Sequence, residues 1–189
     1  MHKGRLEAFS DAVIAIIMTV MVLELRAPHG AKLADLQAVL PTFSCYVLSF
    51  VFLGIYWNNH HHMLQATKHV SGGVLWANMH LLFWLSLIPF STDWVGSSCY
   101  AQLPVAFYGV ILLMSGVAYF ILARSLIAVN GKESTIAIAL GADFKGRISV
   151  VIYAAAVGLS WVSPYISCAL YIAVALMWLV PDRRIERSL

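Results

Sequence analysis

The chain has 189 residues, of which 61% are hydrophobic and 11% are charged, and its mean hydropathy is +0.81. This composition excludes a soluble globular domain and is typical of a polytopic all-α membrane protein. The formal net charge of +3 comes without a basic patch interleaved with aromatic residues, so no nucleic-acid partner is expected. The length leaves room for about six spans of roughly 20 residues, so a single domain over residues 1–189, embedded in the bilayer, is predicted.

Six apolar segments follow one another along the chain and predict six transmembrane helices. Their approximate bounds are 6–25, 33–56, 70–94, 102–129, 147–162 and 164–180. The last two are short, which indicates tilt, local bilayer thinning or peripheral packing. Within the third segment Pro89 is expected to produce a kink, with the stretch 90–92 satisfying the freed backbone groups.

The distribution of lysine and arginine predicts the orientation. Six spans place both termini on one side of the membrane, together with ten of the twelve basic residues. These are Lys3, Arg5, Lys68, Arg124, Lys132, Lys145, Arg147, Arg183, Arg184 and Arg187, whereas the other side holds Arg26 and Lys32. The positive-inside rule therefore predicts a multi-pass protein of the cell (inner) membrane with both termini in the cytoplasm.

The first segment opens on a charged heptad, RLEAFSD, over residues 5–11, and continues as the apolar run AVIAIIMTVMVL over residues 12–23. Thr19 carries the only hydroxyl of that run. Ionisable groups at the mouth of a membrane helix face protein or water rather than lipid, and they are functional-site candidates by default.

A helical projection at about 100° per residue separates two surfaces of this segment. One narrow stripe consists of Ile16, Thr19, Val20 and Leu23. Asp11 lies about 140° around the helix from Ile16, and Ser10 lies about 120° away in the other direction. Taken alone, the stripe is explained by ordinary helix packing and Arg5 by a cytoplasmic anchor. As a packing residue, Thr19 would bond back to the carbonyl of Ala15.

The polar side chains of the heptad need hydrogen-bond partners, because a buried unpaired polar group is costly. Candidate partners for Ser10 and Asp11 lie on the third segment. They are Trp76, Asn78 and His80.

RLEAFSD resembles the RxxxFSD signature of the transmembrane protein 175 family, which comprises the endolysosomal potassium channel of animals and its single-repeat prokaryotic relatives. The matching residues are Arg5, Phe9, Ser10 and Asp11. The similarity continues in DAVIAIIMTVMVLEL, in YWNNHH (56–61) and in LWANMHLLFWLSLIPFSTD (75–93). By these motifs and its six-span length, the chain is identified as a prokaryotic single-repeat member.

The resemblance implies a homotetramer in which the first helices line a central pore. It implies a hydrophobic constriction at Ile16, with further apolar rings at Val20 and Leu23, and a threonine layer at Thr19 linked to preference for potassium over sodium. No TVGYG-like filter occurs in the sequence. The implied function is a potassium-permeable, potassium-selective cation channel. Potassium and other monovalent cations are its permeant species, membrane lipids and further copies of the chain its partners, and no cofactor is expected.

The sequence does not support an enzyme. Ser10, His80 and Asp93, the candidates for a nucleophile–base pair, are spread over different depths, so no enzymatic activity is predicted. The adjacent histidines 60–62 point in different directions on a helix, which favours packing or hydrogen bonding over a metal. The dispersed cysteines (Cys45, Cys99 and Cys168) have neither disulfide nor metal spacing.

The alternative function is a proton-coupled secondary transporter, which would use Asp11 and His80 as a relay, or a proton-conducting channel. A transporter is expected to show paired inverted repeats and broken helices near the membrane midplane, and the sequence shows neither.

Overall fold

The computed structural model describes residues 3–140 and 144–179, and within these ranges it contains eight α-helices and no strand. The helices are α1 (Lys3–Leu23), α2 (Leu33–Gln65), α3 (Gly72–Ser86), α4 (Ile88–Ser97), α5 (Gln102–Asn130), α6 (Thr135–Leu140), α7 (Phe144–Leu159) and α8 (Pro164–Leu179). The predicted fold class, an all-α polytopic membrane protein, is confirmed.

Four helical stretches are long and apolar enough to cross a membrane, judged by length and composition: α1, α2, α3 with α4, and α5. The last two predicted segments correspond to α7 and α8, each of 16 residues, or about 24 Å long. Helix α7 begins and α8 ends at a limit of the described residues, so the predicted shortness of these segments stays a prediction. Helix α2 continues nine residues beyond the predicted end at Tyr56, and the short α6 was not predicted. The predicted last residue of the sixth segment, Val180, lies outside the described residues.

The break in the third segment occurs at Leu87, two residues before Pro89. Pro89 lies in the first turn of α4, where its missing N–H is tolerated. The hydroxyls of Ser91 and Thr92 donate to the carbonyl of Ile88 at 3.0 and 2.7 Å. The predicted break of the third segment near Pro89 is confirmed. The hydroxyls contact the carbonyl of Ile88 and not that of Leu85, which Pro89 leaves without its helical donor, so the predicted role of stretch 90–92 stays a prediction.

Helix α1 packs against α2, α3 and α4, and α5 packs against α3, α4, α7 and α8. One apolar cluster joins α1, α3 and α5, with Leu81, Leu85 and Leu122 fully buried. A second cluster joins α2, α5, α7 and α8 and contains several aromatic rings, among them Phe52, Tyr153 and Tyr171. Helix α1, which carries the RLEAFSD motif, therefore lies on one side of the bundle, and α7 and α8 lie on another side.

One end of the bundle collects the start of α1, the end of α2 and the end of α5. The Lys3 ammonium donates to the carbonyl of Gln65 at 3.1 Å. The side-chain oxygen of Asn130 accepts from the backbone N–H groups of Lys68 and His69 at 3.0 and 2.9 Å. Basic residues predicted to be cytoplasmic thus share this end, while Arg183, Arg184 and Arg187 lie outside the described residues.

A close approach between α5 and α8 depends on a glycine. A Cβ on Gly109 would collide with the Tyr171 hydroxyl, which donates to the carbonyl of Val105 at 3.1 Å. Gly116, further along α5, has ordinary contact space, since a Cβ there would lie 3.6 Å from Val150.

We therefore expect Gly109→Ala, but not Gly116→Ala, to destabilise the protein. Overpacking at Gly109 should destabilise the protein by about 1–3 kcal/mol. Gly116→Ala should leave stability unchanged or raise it, because alanine is the better helix former by about 1 kcal/mol. Thermal unfolding of both purified variants in detergent checks this; equal melting temperatures would show that the α5–α8 approach is not tight.

Candidate functional site

Helix α1 has one buried face and one uncovered face. The buried face consists of Leu6, Ser10, Ile14, Ile17 and Met21, spaced three or four residues apart as one side of a helix requires. The predicted stripe lies on the other side. Ile16 is 60% exposed, Val20 37% and Leu23 78%. The large aliphatic side chains of this stripe on α1, the helix that carries the RLEAFSD motif and is called the signature helix below, therefore have little contact within their own protomer.

Thr19 is also exposed on this side, and its hydroxyl donates to the carbonyl of Ile16 at 2.9 Å. The carbonyl of Ala15 was the acceptor predicted for a packing threonine at this position. The observed acceptor is the carbonyl of the next residue, so that prediction is wrong. A hydroxyl that donates to the backbone keeps both oxygen lone pairs free. The oxygen of Thr19 can thus serve as a cation ligand without first breaking its hydrogen bond.

Arg5 and Phe9 belong to the same side of the helix as the stripe. They precede Ile16 by eleven and seven residues, which places each within about 20° of it in projection. Both are exposed, and Arg5 makes no hydrogen bond or ion pair with another described residue. The signature motif is therefore divided between the uncovered face and the protomer interior.

The interior part of the motif is a hydrogen-bonded network of three fully buried side chains. The Ser10 hydroxyl donates to the carbonyl of Leu6 at 2.8 Å and accepts from the Asn78 amide at 2.9 Å. The Asn78 carbonyl oxygen lies 2.8 Å from Nε2 of His60. The predicted pairing of Ser10 with Asn78 is confirmed, and so is a hydrogen-bond role for one of the adjacent histidines.

The network has a single consistent direction. The proton of Ser10 is committed to Leu6, so Asn78 must present its NH₂ group to Ser10 and its oxygen to His60. An amide oxygen only accepts, so Nε2 of His60 carries the hydrogen. Nδ1 of His60 is buried and has no partner among the described residues.

The partner predicted for Asp11 is wrong. Asp11 accepts from the indole N–H of Trp57 on α2 at 3.0 Å and not from Trp76, Asn78 or His80 on α3. His80 instead accepts from Trp84 at 2.9 Å, and Trp76 is 78% exposed. The donor to Asp11 is not buried either, because Trp57 is 43% exposed in the protomer.

The sequence analysis missed Trp57 because it ended the second segment at Tyr56, whereas α2 runs on beside α1 to Gln65. The YWNNHH motif was the available signal. In this extension Nδ1 of His61 lies 3.4 Å from the Glu7 carboxylate, and its ring stacks on Trp57 with centroids 5.9 Å apart. The carboxylates of α1 therefore contact α2.

No metal site was found in the ranges 3–140 and 144–179, where no three histidine, cysteine or acidic side chains are grouped to hold an ion. The three cysteines in these ranges are free thiols. The site therefore offers an aliphatic surface, hydroxyl oxygens, a buried hydrogen-bonded network and the charged groups of Arg5, Glu7 and Asp11.

Helix α1 thus presents an uncovered aliphatic stripe on one side and a buried polar motif on the other. The family model described as "Endosomal/lysosomal potassium channel TMEM175" matches residues 5–89. A protein of Chryseobacterium sp. (strain P1-3), named a potassium channel, is 53% identical over 189 residues, which cover all of this chain and 98% of that protein. The chain belongs to the TMEM175 family of ion channels and is not an enzyme.

Two further comparisons give a solved structure and a human relative. The crystal structure of a lysosomal potassium-selective channel TMEM175 homolog from Chamaesiphon minutus matches with a TM-score of 0.82 and 23% identity, covering 94% of this chain and 96% of that one. The likeness shows the same fold. The human relative, named an endosomal/lysosomal proton channel, is 33% identical over 84 residues, which are 36% of this chain and 17% of that protein.

We predict that Asn78→Ala destabilises the protein by about 1–3 kcal/mol, because it leaves the N–H of His60 buried without an acceptor. Asn58→Ala is the matched control, since Asn58 is exposed on α2. Thermal unfolding in detergent and the fraction of intact oligomer on a sizing column measure the effect. Equal stability of the two variants would show that the buried network does not hold α1 in place.

Proposed function

We propose that this chain forms a homotetrameric, potassium-selective cation channel in the cell (inner) membrane, with four copies of α1 lining the pore and both termini in the cytoplasm. The observation that carries the proposal is the uncovered stripe of Ile16, Val20 and Leu23 on the signature helix. The relative with 53% identity is named a potassium channel, and the likeness extends over the whole of this chain.

The assignment of α1 to the pore follows from the face of this helix that remains uncovered within the protomer. Its buried face is occupied by α2, α3 and α4, so the helix is already anchored in its protomer. The stripe and Arg5 then face outward together. A tetramer with α1 at the axis would place four stripes opposite one another, and it would put Arg5 at the cytoplasmic mouth.

Ile16 is proposed as the principal constriction. Four isoleucine side chains around an axis form a hydrophobic neck, which gates by narrowing or by dewetting. Val20 and Leu23 add apolar rings one and two turns further on. The neck requires no carbonyl filter, in agreement with the absence of a TVGYG-like segment from the sequence.

Selectivity is proposed to come from Thr19. Its oxygen keeps free lone pairs next to the neck, so four hydroxyls would offer partial ligation to an ion that has shed water. Potassium gives up its hydration more readily than sodium, so a site with few ligands favours potassium modestly.

Two carboxylates support cation entry at the other end of α1. Glu24 and Asp93 border a groove of about 420 Å³ between α1 and α4, together with Ile16, Val20 and Phe90. Negative charge in a low-dielectric cleft raises the local concentration of cations.

The second candidate function, proton conduction, is favoured by the name of the human relative. The relay proposed from the sequence joined Asp11 to His80. In the structure these residues bond to Trp57 and Trp84, respectively, so no described hydrogen bond links them. A proton pathway would instead have to use water in the pore.

Recording from the purified protein in planar bilayers tests the proposal. Discrete conductance steps, with a reversal potential set by the potassium gradient, are expected. Continuous flux at carrier turnover, or a reversal potential that follows the pH gradient alone, would favour the alternative class.

We predict that Ile16→Asn raises cation flux in liposomes by roughly tenfold, equal to a barrier lowered by about 1.4 kcal/mol, because the polar neck stays hydrated. The control is Ile121→Asn, an exposed isoleucine on α5, which should leave flux unchanged. Unchanged flux and selectivity in Ile16→Asn, with normal oligomer, would remove Ile16 from the constriction.

We predict that Thr19→Val shifts the reversal potential under opposed potassium and sodium gradients toward zero, while the channel still assembles. Valine keeps the shape of threonine and removes the oxygen, so the change isolates the ligand from packing. Thr19→Ser keeps the oxygen and should keep the preference. If Thr19→Val retains full potassium preference, selectivity belongs to the aliphatic neck alone.

A further inference from the structure

A second site lies away from α1, in a cleft between α2, α5, α7 and α8 with a volume of about 270 Å³. Its walls are mostly aromatic and aliphatic, and they include Phe52, Tyr56, Phe120, Val150, Tyr153 and Trp178. Helix α1 packs against α2, α3 and α4, so the cleft belongs to the part of the protomer built by α7 and α8. None of its described lining residues takes part in the proposed pore.

Positive charge surrounds the mouth of this cleft. Arg147 lines it directly and is exposed. The guanidinium of Arg124 lies 5.0 Å from the ring centroid of Phe120, and the ammonium of Lys145 lies 5.9 Å from that of Trp178. No described lining residue is acidic. Three cations thus hold positions on or beside the walls of one apolar cleft.

The cleft opens near the end of the bundle that holds the start of α1. Arg147 is in the first turn of α7 and Trp178 is in the last turn of α8. Asn59, also in the lining, precedes the end of α2 by six residues. In the proposed orientation this is the cytoplasmic leaflet, where anionic lipids attract basic residues next to the membrane.

We propose that the cleft binds one anionic phospholipid of that leaflet. An acyl chain enters between the aromatic walls, and the phosphate is held by Arg147, with Arg124 and Lys145 at the rim. Arginine suits phosphate because its guanidinium donates two parallel hydrogen bonds. The apolar walls accept any acyl chain, whereas Arg147 in a described lining that holds no carboxylate selects a negative headgroup. This inference is independent of which ion the channel conducts.

Gly116 makes the apolar part of the site testable. It lines the cleft, and a Cβ there would lie 3.6 Å from Val150 and 3.9 Å from the Tyr56 hydroxyl. A methyl group therefore fits, whereas the branched side chain of leucine would extend into the space proposed for the acyl chain. Gly158 on α7 has no atom within 4 Å of such a Cβ and is exposed, so Gly158→Leu is the matched control.

Native mass spectrometry of the purified full-length protein in detergent tests the proposal. Phosphatidylglycerol and phosphatidylcholine with identical chains are titrated against wild type, Arg147→Ala, Gly116→Leu and the controls Arg26→Ala and Gly158→Leu. We expect phosphatidylglycerol to bind more tightly than phosphatidylcholine. Arg147→Ala should weaken phosphatidylglycerol roughly fivefold, Gly116→Leu should weaken both lipids, and the controls should match wild type.

Several outcomes would overturn the site. Equal binding of the two lipids to wild type would show that charge does not select the occupant. A loss in Arg147→Ala without one in Gly116→Leu would indicate a headgroup contact at the protein surface with no chain in the cleft. A loss in Gly116→Leu alone would indicate an apolar occupant of another kind. Sizing-column profiles establish that the compared variants have the same oligomeric state. The binding readout is separate from ion flux, so a failure here leaves the proposed channel function untouched.

Discussion

The rotation of α1 about its own axis depends on one buried network. In a bilayer, an amide without a partner costs several kcal/mol, and the NH₂ group of Asn78 on α3 finds its acceptor in Ser10. The carbonyl oxygen of Asn78 accepts from His60 on α2, so the network joins α1, α3 and α2. A rotation of α1 by a quarter turn would expose Ser10 to lipid and leave Asn78 half-satisfied. The polar motif therefore decides which side of the helix remains uncovered.

That constraint links Ser10 to the stripe, which lies six to thirteen positions further along the chain. Once Ser10 points into the protomer, the 3.6-residue repeat places Ile16 and Leu23 on the opposite side. The stripe needs no interaction of its own to set its direction. This explains how a polar signature can determine an aliphatic pore wall that it does not touch.

The sequence predicted much of the fold because membrane helices have a strong signal in hydropathy, and the break before Pro89 followed from the missing N–H. It failed where tertiary contacts decide. Hydropathy ended the second segment at Tyr56, although the polar continuation of α2 is stabilised beside α1 by Asp11 and Glu7. Whether Thr19 bonds three or four residues back depends on a rotamer, which spacing alone does not specify.

In the site, too, some features follow from the sequence and others depend on tertiary contacts. Helical projection was sufficient to separate Ser10 and Asp11 from the stripe, and Asn78, whose amide carries both a donor and an acceptor, was among the predicted partners of Ser10. The sequence could not identify the partner of Asp11, because the three candidates on α3 carry N–H donors just as Trp57 does. Distance in space, and not chemistry, distinguished them.

Charged and uncharged polar side chains occupy different parts of α1, and the free-energy cost of burying a charge explains this distribution. The fully buried network consists of a hydroxyl, an amide and an imidazole, none of which has to carry charge. The carboxylates of Glu7 and Asp11 are only partly buried and lie in the first turns of the helix, near the end where the chain begins. Burying a carboxylate deeper would cost more than its hydrogen bonds return. The interior contacts that hold the helix are therefore neutral, and the charged contacts lie at its entrance, where they add specificity between α1 and α2 without a large desolvation penalty.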